Sequence, residues 1–99
     1  MRSVELAIYA DALAGEAASM AARAERARSR LSQVAIEKRA RAQVSGDAIA
    51  RLEAFGLLGT IDERAARAEL RELESSLEAL EELQTWVEEQ LAESTALSH

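Results

Sequence analysis

Residues 43–60 read QVSGDAIARLEAFGLLGT, and the reading of this stretch decides the fold. It holds three of the four glycines, Gly46, Gly56 and Gly59, and separates two long stretches rich in Ala, Leu, Glu and Arg. The chain has no proline, so glycine is the strongest helix breaker available to it. Val44-Ser45-Gly46-Asp47 reads as a turn, with Ser45 or Asp47 capping the next helix. That short helix is predicted from about Asp47 to about Leu58, with Ile49, Leu52 and Phe55 on one side. Gly59 is placed to end it, because glycine takes the left-handed conformation without a Cβ penalty. Thr60-Ile61-Asp62-Glu63 then has the spacing of a capping box. In that arrangement the Thr60 hydroxyl accepts from the third helical amide, and the Glu63 carboxylate accepts from the Thr60 N–H.

Upstream, a helix is predicted from about Ser3 to about Gln43. Its main seam is Leu6, Ala10, Leu13, Ala17, Met20, Ala24, Ala27, Leu31 and Val34, stepping alternately by four and three. One core column is nearly all alanine, which lets a neighbouring backbone approach closely. The next seam positions, Lys38 and Arg41, are charged, so the stripe is expected to stop there. Downstream, a helix is predicted from about Ile61 to about Glu93, succeeded by a frayed tail over 94–99. Its main seam is Ala66, Leu70, Leu73, Leu77, Leu80, Gln84, Val87 and Leu91. A second and weaker seam, through Ala79, Leu83, Trp86 and Gln90, lies on nearly the opposite side. A helix packing on one neighbour needs a single stripe, so a lone hairpin would leave Trp86 in water.

The predicted fold class is all-α: one domain over residues 1–99, built as a long antiparallel helical hairpin with a short middle helix. Much of the 48% hydrophobic content is alanine, which buries little area per residue at about 25 cal/mol per Å². Assembly into a four-helix or larger bundle, or a coiled coil, is therefore expected, most simply as a homodimer. The expected interface comprises Leu70, Leu73, Leu77, Leu80, Leu83, Trp86, Val87 and Leu91 with Leu6, Leu13 and Met20.

Composition bounds the chemistry. There is no cysteine, hence no disulfide, thiolate metal site or thiol nucleophile, and a cytoplasmic setting is expected. The longest uncharged run, Ala54 to Ile61, is eight residues, against about 20 for a membrane-crossing helix. The one histidine, His99, is the final residue and a poor position for a general base. Glu69, Glu74, Glu78, Glu81 and Glu88 lack the helical histidine that carboxylate-bridged metal bundles use. No catalytic residue, cofactor or metal is expected.

The formal charge of −6 is uneven: residues 1–51 hold nine Lys/Arg against six Asp/Glu, and residues 52–99 hold three against twelve. Arg23, Arg26 and Arg30 form a basic ridge beside the first seam and are the candidate anion-binding residues. Without interleaved aromatics the ridge lacks the stacking platforms of single-strand binders. It reads first as a partner for the acidic last helix, and nucleic-acid association is the alternative.

The order long helix, short helix, long helix over about 100 residues resembles that of the helical chorismate mutases. The resemblance covers topology. It implies an intertwined dimer binding a dicarboxylate between helices, with Arg28, Lys38 and Arg51 as basic candidates and Gln84 or Gln90 as the late polar one. The chain departs from that family early in helix one, where no Lys or Arg stands between Arg2 and Arg23. In size the chain is also similar to secreted helical hairpins with Trp-x-Gly at their central turn, but its own turn has no tryptophan. The leading expectation is a non-enzymatic homo-oligomeric scaffold or adaptor whose first partner is itself and whose second is another helical protein, without a membrane.

Overall fold

The computed structural model describes residues 3–97, so His99 and its expected solvated position lie outside the described residues. Three helices occur among the described residues: α1, Ser3–Gln43; α2, Gly46–Ala54; and α3, Glu63–Leu97. No strand occurs among the described residues, and α1 packs against α3. The fold is all-α.

The starts of α2 and α3 are set by side-chain capping. The Ser45 hydroxyl accepts from the Ala48 amide at 3.3 Å and opens α2, one residue ahead of the expected start. The start of α3 corrects the sequence reading. Asp62, not Thr60, caps it, with Oδ1 accepting from the Ala65 amide at 3.0 Å, while Glu63 turns its carboxylate to Lys38 and Arg67. Thr60 and Ile61 stay outside the helix. Asp caps at least as well as Thr, and its charge also favours the positive helix end. With Asp62 as cap, the third helical position falls on Ala65, so no capping box forms.

The end of α2 is a second correction. The helix stops at Ala54 rather than Leu58, and Gly56, not Gly59, terminates it. Gly56 has φ +72, its amide donates to the Glu53 carbonyl, and the Leu57 amide donates to the Leu52 carbonyl, both at 3.0 Å. These are the paired bonds of a Schellman motif, which captures two otherwise orphaned carbonyls. Gly59, φ +74, instead serves the loop before α3, where a Cβ would come within 3.2 Å of the Arg41 guanidinium. The tail expectation also fails for residues 94–97, which continue α3. No glycine or proline stops the helix there, and the Thr95 hydroxyl donates back to the Leu91 carbonyl at 2.9 Å.

The chain divides into two compact units. Unit 1 comprises Met1–Arg23 and Glu72–His99. Its core is Leu6, Leu13 and Val87, with Ala10, Leu80, Leu83 and Leu91 packed on it. Unit 2 is Ala24–Arg71. It buries Ala24, Ala27, Val34, Ile49 and Ala66 and is laced on its surface by ion pairs. Two of the four buried α1 positions of this unit, Ala24 and Ala27, are fully buried alanines, as expected for close backbone approach.

Candidate interaction surface

Every position of the two main seams is buried or half-buried, from Leu6 to Val34 on α1 and from Ala66 to Leu91 on α3. Of the expected interface residues, Leu6, Leu13, Leu73 and Val87 are buried within the chain itself. Met20, Leu70, Leu77, Leu80, Leu83 and Leu91 are half-buried. Trp86 alone of that group is exposed, at 45%, beside a Val87 that is 1% exposed. At 100° per residue, neighbours on a helix point to different sides, so one turns into the core and the other to solvent.

Unit 1 carries further large apolar side chains in water: Val4, Ile8 at 65%, and Tyr9. Val4 and Ile8 are four apart and share one face of α1. Beside the core lies a depression of about 100 Å³ lined by Ala10, Leu13, Ala14, Gln84, Val87 and Glu88. Gln84 is half-buried on its wall, the one polar position of a seam that is otherwise alanine, leucine and valine. In unit 2, Ile36, Val44, Leu57 and Phe55, the last at 76%, are exposed. Scattered exposed apolar residues are ordinary, but an alanine-built pair of helices leaves its largest side chains outside.

The polar surface differs between the units. All five ion pairs among the described residues lie in unit 2. Arg30 pairs with Glu69 at 3.2 Å and Lys38 with Glu63 at 2.9 Å, each joining α1 to α3. Arg41 pairs with Glu53, joining α1 to α2. Arg67 lies 2.8 Å from Glu63 within α3, and Arg28 lies 3.1 Å from Glu25 within α1. Hydrogen bonds from Arg67 and then Lys38 hold the Glu63 carboxyl below the usual carboxylate range.

These pairs bear on the basic candidates. Arg30 of the anion ridge is committed to Glu69, as the acidic-partner reading expects. Arg23 falls in unit 1 and Arg26 in unit 2, both exposed. Of the residues implied by the mutase resemblance, Arg28 and Lys38 are already satisfied by glutamates.

The sequence reading missed Glu37. It placed Lys38 and Arg41 next along the α1 seam, yet both are exposed, and the buried column runs on through Glu37 and half-buried Ala40. From Val34 the step is three and three, not four and three, so the inward face rotates by one position. Glu37 is 8% exposed, and its Oε1 has no hydrogen-bond partner among the described residues. The sequence does hold a signal: repeated steps of three along 31, 34, 37 and 40 give an equally regular column with small Ala40 at its end. The charge of Glu37 argues against choosing that column from pattern alone.

The class of protein is set by these features: an all-α chain, with no metal-holding cluster and no membrane-crossing helix among the described residues. Set against known protein families, curated proteins and solved structures, the chain matches none.

Proposed function

We propose that this protein is a non-enzymatic interaction module that associates with itself and presents helical faces to a protein partner in the cytoplasm. The observation that carries the reading is Trp86. It is the largest side chain, on a helix whose adjacent residue is fully buried, and it stands 45% exposed. Large aromatics concentrate binding energy when an interface desolvates them. Exposed Val4 and Ile8 of the same unit supply further apolar surface. The cytoplasmic assignment rests on the absence of cysteine.

Solution mass by light scattering across a dilution series tests the reading, with Trp86 emission recorded alongside. Two-chain mass at high concentration, with emission shifting to the red on dilution, is the expected result. Trp86→Ala then weakens association by about tenfold or more while helicity stays unchanged. One-chain mass throughout, with unmoved emission, overturns the proposal.

A further inference from the structure

The two units carry charge of opposite sign. Unit 1 has two Lys/Arg against eleven Asp/Glu, a net −9, and unit 2 has ten against seven, a net +3. Every one of the eleven carboxylates in unit 1 is exposed, and none makes an ion pair among the described residues. Glu74, Glu78, Glu81 and Glu88 recur by four, three and seven, an acidic ridge along α3 that Thr85 interrupts once. In unit 2 the glutamates are largely used by the ion pairs described above. Five arginines, Arg26, Arg39, Arg51, Arg64 and Arg71, remain exposed and without an ion-pair partner among the described residues. Each unit also holds exposed large apolar side chains, Ile8 and Trp86 in one, Ile36 and Phe55 in the other.

We infer that the occupant of these surfaces is a second copy of the chain, docked reciprocally: the acidic unit of each copy meets the basic unit of the other. The inference rests on the self-association reading above and specifies its mode. Like-on-like docking would set −9 against −9, and repulsion between such surfaces opposes encounter. Reciprocal docking sets −9 against +3 twice. It gives the unpaired arginines of one copy carboxylates from the other and closes after two copies, as an isologous interface requires. Arginine suits this role because its planar fork engages carboxylates through paired hydrogen bonds. The apolar residues then supply the water-excluded centre, with the charges at the rim setting orientation.

Charge reversal tests this mode. One variant has Glu72, Glu74, Glu78, Glu81, Glu82 and Glu88 each replaced by Lys, taking unit 1 from −9 to +3; a second carries Arg39→Glu, Arg51→Glu and Arg64→Glu, taking unit 2 from +3 to −3; a third carries all nine. For the parent, raising NaCl from about 0.05 M to about 1 M should weaken the dimer by tenfold or more, because screening shortens to about 3 Å. Either of the first two variants alone, with +3 against +3 or −9 against −3, should remain monomeric where the parent is dimeric. An equal mixture of the two should recover two-chain mass, and the nine-substitution chain, which sets +3 against −3 twice, should dimerise by itself. Recovery on mixing is a result that misfolded variants could not give.

A parent dimer that strengthens with salt, or whose affinity ignores both salt and charge reversal, overturns the reciprocal mode while leaving self-association standing. Failure of the mixture and of the nine-substitution chain to dimerise, with helicity intact, also overturns it. A parent that is monomeric at every concentration overturns both readings.

Discussion

Val87→Ala separates core from surface most sharply. Val87 is 1% exposed in the Leu6–Leu13–Val87 cluster. The substitution removes two methylene equivalents, worth about 0.8 kcal/mol each, or roughly 1.6 kcal/mol of transfer free energy. A sealed void of roughly 50 Å³ would add about 1.2 kcal/mol at ~24 cal/mol per Å³. Val87 also lines the existing depression of about 100 Å³. The new space joins a site that water already reaches, so the transfer contribution dominates. The expected loss is about 1.5–2.5 kcal/mol. Urea unfolding followed by far-UV circular dichroism, at one low protein concentration, should show the midpoint falling by roughly 1 M with the slope unchanged. Trp86→Ala, one residue away, should stay within about 0.5 kcal/mol under the same monomeric conditions. Val87→Ala within that same margin, or Trp86→Ala as costly as Val87→Ala, would refute the placement of the core.

Three further outcomes rest on local structure. Asp62→Ala should cost about 1 kcal/mol by removing the α3 cap, whereas Thr60→Ala should change stability by a few tenths at most; thermal or urea unfolding of the pair reverses that ranking if Thr60 is the true cap. Glu37→Met should leave stability unchanged or raise it by on the order of 1 kcal/mol, since it exchanges an unpaired buried oxygen for an apolar chain of similar length; a clear loss in urea unfolding would mean that the carboxylate is satisfied. Because its folded pKa is lowered, Glu63 contributes stability that is present above the unfolded carboxylate value and is lost as pH falls through the folded one. Arg67→Met should therefore raise the Glu63 pKa seen by NMR titration and flatten that part of the acid unfolding profile, and an unmoved titration would show that Arg67 does not hold the carboxylate.

The helical class and the main seams were legible in the sequence because they depend on short-range periodicity. Steps of four and three put Leu6, Leu13 and Val34 on one line and Leu73 and Val87 on another, and all five are buried. Trp86 was legible by the same arithmetic, being off the main stripe and exposed. The charge imbalance was visible too, but its meaning was not. Cutting the chain after Arg51 gives +3 and −9, and the structural units have the same two net charges although they group different residues. The ends of helices were less legible, since Thr60 and Asp62 are both good caps, and Gly56 and Gly59 both take positive φ.

By itself, then, the sequence determined that the chain is helical, where it is interrupted, and which stripes face inward, because hydrophobic period and glycine placement act within a few residues. Only the tertiary structure decided the rest. It selected Asp62 over Thr60 as the cap, because Glu63 is drawn to Lys38 of another helix. It turned Glu37 inward in place of Lys38, because the face α1 presents depends on what packs against it. It committed Arg30, Lys38 and Arg41 to glutamates 39, 25 and 12 residues away, leaving other arginines to the surface. Those choices are made by side chains distant in sequence and adjacent in space, which no local pattern encodes.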